Sequence, residues 1–182
     1  VIALKPDYHR AWYYRGKALH RMGKYGEAVE SFEHTLAFRP QSFKTWQHRG
    51  YALAKLGRYQ EAVNSFDQAL RSLSHNADLW QQRGAALQYL GHYLDALNSF
   101  DQALLIRPQN PYLWYRRGLT LGCLDRYEEA LTSFDRALEL NPKDYCVWYN
   151  RGIALKKLKS PEAALESFDQ ALMLQDNHAK VW

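Results

Sequence analysis

The chain has 182 residues, 24 lysines and arginines against 19 acids (formal net charge +5), and 47% hydrophobic against 24% charged residues. That balance excludes a disordered or low-complexity segment and leaves enough apolar material for a sizeable core. No apolar run approaches the ~18 residues of a membrane helix, and the opening Val1-Ile2-Ala3-Leu4-Lys5-Pro6 has no basic lead. A soluble, cytoplasmic chain is expected. With valine at position 1, it is expected to be a piece of a longer protein. Two cysteines, Cys123 and Cys146, are too few for a disulfide framework and read as reduced thiols. The seven histidines are never three or four residues apart, so neither a metal site nor a cofactor is expected.

All six tryptophans, Trp12, Trp46, Trp80, Trp114, Trp148 and Trp182, are spaced by 34 residues. Glycine holds the same phase at Gly16, Gly50, Gly84, Gly118 and Gly152, phenylalanine at Phe32, Phe66, Phe100, Phe134 and Phe168, and alanine at Ala28, Ala62, Ala96, Ala130 and Ala164. A repeat of this length implies one supersecondary unit stacked along the chain.

In chain order, residues 1–8 are the tail of a preceding repeat, since Leu4-Lys5-Pro6-Asp7 matches Leu140-Asn141-Pro142-Lys143. Complete repeats follow at 9–42, 43–76, 77–110, 111–144 and 145–178, and 179–182 opens another. Each reads as two helices. In the second repeat Trp46, Gly50 and Leu53 recur at helical spacing up to about Gly57. A second helix then runs from about Gln60 to Leu73, with Ala62, Val63, Phe66, Ala69 and Leu70 on one face. The other second helices are predicted over 26–39, 94–107, 128–141 and 162–175, with Pro40, Pro108 and Pro142 closing three of them. In the fifth repeat Ser160-Pro161-Glu162 replaces the glycine-x-tyrosine turn; serine caps and proline suits a first helical turn, so the hairpin is expected to survive.

The pattern Trp80-x-x-x-Gly84-x-x-Leu87…Gly91-x-Tyr93-x-x-Ala96-x-x-x-Phe100-x-x-Ala103…Pro108 resembles the tetratricopeptide repeat (TPR) over the whole chain. The Arg-Gly-x-Ala-Leu and Ser-Phe-Asp-x-Ala-Leu wording resembles bacterial arrays, cyanobacterial ones especially. The resemblance implies an all-α fold: an α-solenoid of stacked antiparallel helix pairs forming a right-handed superhelix. The in-phase Trp and Phe residues then read as core, because recurrence in every repeat marks architecture. The mid-helix glycines, each about 1 kcal/mol worse than alanine, read as points of close helix approach.

Two positions depart together from the family pattern. Arginine recurs at Arg15, Arg49, Arg83, Arg117 and Arg151, where the family usually has leucine, and an acid recurs at Glu33, Asp67, Asp101, Asp135 and Asp169. A ladder of arginine–carboxylate pairs along the array is the expectation.

By the same resemblance the first helices line a concave groove. The second helices hold 14 acids and 4 bases, and the rest of the chain holds 20 bases and 5 acids, so the expected groove side is strongly basic. Its predicted binding residues are Arg10, Tyr13, Tyr14, Lys17 and Arg21 from the first repeat. Lys44, Gln47, His48, Tyr51 and Lys55 come from the second, and Gln81, Gln82 and Tyr89 from the third. The fourth supplies Tyr112, Tyr115 and Arg116, and the fifth Tyr149, Asn150, Lys156 and Lys157. These positions vary between repeats, and tyrosine and arginine are effective binding residues.

The family's carboxylate clamp for chaperone tails has no matching consecutive repeats here. The expected function is a scaffold that holds an acidic peptide of a protein partner. Single-stranded nucleic-acid binding in the same groove, or self-assembly through the ends, are the alternatives. No nucleophile–base pair or phosphate loop points to an enzyme.

Overall fold

The computed structural model describes the backbone over residues 9–179 and side chains over residues 9–175. Among the described residues there are ten α-helices and no strand. They are α1 (His9–Arg21), α2 (Tyr25–Phe38), α3 (Phe43–Lys55), α4 (Tyr59–Leu70), α5 (Ala77–Tyr89), α6 (Tyr93–Ile106), α7 (Pro111–Cys123), α8 (Tyr127–Leu140), α9 (Tyr145–Lys157) and α10 (Pro161–Ala179). The chain forms two compact units, Val1–His92 and Tyr93–Trp182.

In the N-terminal unit α1 packs on α2 and α3 on α4, and each second helix also meets the next first helix, α2 with α3 and α4 with α5. In the C-terminal unit α6 meets α7, α7 packs on α8, α8 on α9 and α9 on α10. This is the nearest-neighbour stacking of an α-solenoid, in which each hairpin buries an apolar face it could not bury alone.

One contact repeats as the key to the hairpin. A Cβ placed on Gly16 would lie 2.6 Å from the Phe32 ring, on Gly50 2.5 Å from Phe66, on Gly118 2.5 Å from Phe134, and on Gly152 2.6 Å from Phe168. No side chain fits at those distances, so the glycine's missing Cβ is the seat of the buried ring. The close approach expected from the sequence is between a first helix and the aromatic ring of its own second helix.

Three-residue turns close the hairpins within each unit, and their middle residue takes a left-handed conformation. Gly23 and Gly57 do so at φ 76° and 74°; in the C-terminal unit Asp125 and Lys159 occupy the same place at φ 58°. The turn holds because the residue after it bonds back to a carbonyl five residues earlier: Lys24 to Leu19 at 2.9 Å, Ser160 to Leu155 at 3.0 Å. Pro161 opens α10, and the fifth hairpin survives its altered turn.

Two helix ends differ from the sequence reading by three residues or more, and the other second-helix bounds by one. Helix α4 ends at Leu70 rather than Leu73; no proline follows in that loop, and Ser72 and Leu73 instead fold their N–H groups back onto the Ala69 carbonyl. Helix α10 runs on to Ala179, through the stretch expected to hold a turn and open another repeat. The tail assigned to residues 1–8 and the last tryptophan of the series, Trp182, lie outside the described residues.

Candidate binding face

The recurring arginines of the first helices are held from three sides. Arg49 donates to Glu33 at 2.7 Å, Arg83 to Asp67 at 2.6 Å, Arg117 to Asp101 at 2.7 Å and Arg151 to Asp135 at 2.7 Å. Each acid sits on the preceding second helix, so the ladder ties one hairpin to the next. The other side of the guanidinium donates to a buried serine of its own hairpin: Arg49 to Ser65 at 2.8 Å, Arg117 to Ser133 and Arg151 to Ser167 at 2.7 Å. Beneath it lies the recurring tryptophan, with ring centroids 5.7–5.9 Å from the Arg49, Arg83, Arg117 and Arg151 guanidinium carbons. Arg15 departs from the set. It bonds Ser31 at 2.5 Å but meets Glu27 of its own hairpin, at 3.6 Å.

The tryptophans refine the sequence reading. Phe32, Phe66 and Phe100 are fully buried, whereas the described tryptophans are partly buried, and Trp46, Trp80, Trp114 and Trp148 pack against the edge of the core. Their indole N–H groups donate to the loop before the helix: Trp46 to the Pro40 carbonyl at 2.7 Å, Trp80 to Ser74 and Trp114 to Pro108 at 2.8 Å, and Trp148 to Pro142 at 2.9 Å. An indole needs a partner for its N–H, and a junction between helix and loop supplies one where a closed core does not.

None of the twenty predicted binding residues is fully buried. In the N-terminal unit they form an aromatic and cationic face on α1, α3 and α5. Tyr13 leans on the Phe32 ring (6.3 Å) and meets Tyr14 edge-on at 5.4 Å, with the Lys17 ammonium 5.7 Å from its centroid. His48 stacks on Phe32 at 5.9 Å. Burial, the Lys17 charge and His20 together lower the His48 pKa to about 4, so this imidazole is neutral near pH 7. Burial and the nearby Lys55 also lower His20. Tyr51 packs on Phe66 at 5.6 Å and accepts from Gln47 at 3.0 Å; burial raises its pKa and that of Tyr13. Tyr89, an exposed residue of α5, stacks on Tyr59 at 4.5 Å. Gln81 and Gln82 are half-buried, and Arg10, Arg21, Lys44 and Lys55 are exposed. A cavity of about 680 Å³ opens beside Arg10, Tyr13, Tyr14 and Lys44.

In the C-terminal unit Arg116 is already engaged. It donates to the Tyr112 hydroxyl at 2.6 Å and lies 5.5 Å from the Phe100 centroid. Asn150 donates to the Cys146 carbonyl at 2.8 Å and to the Tyr115 hydroxyl at 3.3 Å. Tyr115 packs on Phe134 and Tyr149 on Phe168; burial raises the Tyr115 pKa. Tyr115, Tyr149 and Phe168 line an apolar cavity of about 370 Å³. Lys156 and Lys157 are exposed at the end of α9.

A tetratricopeptide-repeat family model matches residues 3–117, and a second matches 111–144 and 145–178. The chain belongs to the tetratricopeptide repeat family. Solved structures agree on the fold. A crystal structure of MamA is 17% identical with a TM-score of 0.88, covering 91% of this chain and 96% of that one. MamA from Desulfovibrio magneticus RS-1 is 21% identical with a TM-score of 0.88, covering 93% and 96%. YrrB, described as a TPR protein with an unusual peptide-binding site, is 22% identical with a TM-score of 0.86, covering 100% and 96%. No curated protein matches. The TPR fold generally serves as a protein–protein interaction scaffold.

The sequence reading of this TPR chain missed the serine in the arginine's grip. Ser31, Ser65, Ser99, Ser133 and Ser167 keep the 34-residue phase and are all fully buried. Each donates to the carbonyl four residues earlier, at 2.8–3.0 Å. The period alone was signal enough to find them.

Proposed function

We propose that this chain is an interaction scaffold whose first-helix face holds an acidic peptide segment of a protein partner. The observation that carries the reading is a division of labour among its cations. The recurring arginines are consumed by the ladder. Arg10, Lys17, Arg21, Lys44 and Lys55 have no ion-pair partner among the described residues, and they share their face with half-buried tyrosines. Unpaired cations beside rigid aromatic side chains favour an extended acidic segment: charge steers the encounter, and tyrosine supplies contact area at small entropic loss. The free thiols of Cys123 and Cys146 support a reducing, cytoplasmic setting.

Selection from a displayed peptide library is the direct test, followed by anisotropy titrations of the selected peptides. Acidic peptides are expected to be enriched. Tyr14 and Tyr149 are 65% and 53% exposed, so their truncation spares most of the packing. Tyr14→Ala and Tyr149→Ala each weaken binding by about 1–2 kcal/mol, in the range of hot-spot losses. Peptides indifferent to both changes sink the proposal. Tighter binding of an unstructured oligoribonucleotide than of any peptide moves the function to single-stranded nucleic acid.

A further inference from the structure

We infer that the cavity beside the start of α1 is a carboxylate-reading subsite, in which Arg10, Arg39 and Lys44 engage acidic side chains of the bound peptide. The inference rests on the peptide-scaffold reading and sharpens it to one address in the N-terminal unit.

Three elements converge there. Arg10 lies in the first turn of α1, Arg39 directly follows α2, and Lys44 lies in the first turn of α3. All three are exposed and line the cavity of about 680 Å³, whose walls also include Tyr13, Tyr14 and Thr45 but, among the described residues, no aspartate or glutamate. Among the described residues none of the three has an ion-pair partner. Several other surface arginines are paired. Arg58 is clamped by Glu61 and Arg126 by Glu129 through paired bonds of 2.6 and 2.7 Å, and Arg136 is held by Glu139.

Three like charges around one concavity repel one another and raise the local potential, and an anion relieves both. A carboxylate offers about four acceptor sites and fits the guanidinium fork two bonds at a time. Two guanidinium groups and an ammonium are therefore the matching donor set. The volume lies within the range of ligand pockets of about 300–1,000 Å³, room for a short run of acidic residues.

The combination of cations is not repeated along the array. Arg10 and Lys44 hold the same repeat position, which reads Asp78, Tyr112 and Cys146 in the later complete repeats, and the position of Arg39 reads Leu73, Arg107, Asn141 and Gln175 there. No other repeat combines the three cations. In the C-terminal unit one cavity includes Lys157, whereas the one lined by Tyr115, Tyr145, Tyr149, Phe168 and Leu172 has no cation among the described residues. The latter suits an apolar side chain instead.

The probe is fluorescein-labelled hexaglutamate, with hexaglutamine as its uncharged counterpart, titrated at low salt by anisotropy. Hexaglutamate is expected to bind at least about tenfold tighter, a difference of about 1.4 kcal/mol. The variant Arg10→Gln/Arg39→Gln/Lys44→Gln removes about that tenfold. A charge-matched control, Arg71→Gln/Lys143→Gln/Lys159→Gln, stays within about twofold, because its charges lie outside the cavity. Amide NMR shifts on hexaglutamate addition are expected to centre on Arg10, Arg39 and Lys44. Equal losses in the two variants, or no loss in the first, overturn the subsite. If hexaglutamate fails while display-selected peptides bind, the subsite is wrong and the scaffold reading stands. If no peptide binds at all, the scaffold reading falls and the subsite with it.

Discussion

The two units share one repeat and break it in different places. In the N-terminal unit the hairpin turns keep glycine in the left-handed position, while the face of α1 and α3 carries unpaired cations and a neutral, stacked His48. In the C-terminal unit Asp125 and Lys159 take over that strained turn position, Arg116 is spent on Tyr112 and Phe100 while Lys156 and Lys157 stay exposed at the end of α9, and the cavity beside Tyr115, Tyr149 and Phe168 is apolar. What the units share, glycine against phenylalanine and arginine against acid, serves stacking. Their differences concern recognition and local strain.

The largest expected effect tests the shared part. Phe66→Ala and Phe134→Ala each lose about 3–5 kcal/mol by urea denaturation, as buried aromatic truncations do. A loss confined to one unit would break the equivalence.

The glycines sharpen it. Gly50→Ala sets a methyl 2.5 Å from the Phe66 ring and destabilises by about 1–3 kcal/mol, even though alanine is the better helix former. Gly122, late in α7, has nothing within 4 Å of a built Cβ. Gly122→Ala stabilises by about 0.5–1 kcal/mol. If both changes move the midpoint the same way, the ring seat is not what keeps the glycine.

His48 distinguishes the N-terminal unit by pH. Its folded pKa of about 4 lies below the unfolded value, so the unfolded chain binds more protons between the two. Its contribution is full above about pH 6.5 and declines as pH falls toward 4. The loss is about 1–2 kcal/mol, less than full linkage because the ring is partly solvated. His48→Gln should flatten that part of the stability–pH profile. An unchanged slope would show that another group carries it.

Arginine replacement reads the ladder. Arg117→Leu removes the bonds to Asp101 and Ser133 and the contact with Trp114, for a loss of about 1–2 kcal/mol. Arg15→Leu, whose acid lies at 3.6 Å and whose side chain is 39% exposed, loses about 0.5 kcal/mol. Equal losses would mean that the acid of the preceding hairpin adds nothing. The smallest effect is a gain: Lys159→Gly relieves a left-handed lysine and stabilises by about 0.5–1 kcal/mol, read by thermal denaturation.

The 34-residue phase of Trp, Gly, Phe and Ala determined the helical hairpins and their order, because a repeat that must bury one face against its neighbours keeps the same side chains at the same places. It also determined the ladder, since arginine and acid depart from the family pattern together, sixteen residues apart. The tertiary structure decided what the phase left open. Helix α4 ends at Leu70, where Ser72 and Leu73 turn their N–H groups onto the Ala69 carbonyl, a local bonding choice that periodicity does not record. The recurring serine was visible in the sequence but mute until a guanidinium stood within about 2.8 Å of its hydroxyl. The place of the tryptophans at the edge of the core, with the indole N–H on a loop carbonyl, showed only with the loops in place. Above all, which cations are paired and which are left around a cavity depends on distances between side chains of separate helices. Periodicity fixes the phase of one backbone, whereas ion pairing falls off with through-space separation; that is why Arg10, Arg39 and Lys44 emerged as a cluster only once α1, α2 and α3 were packed.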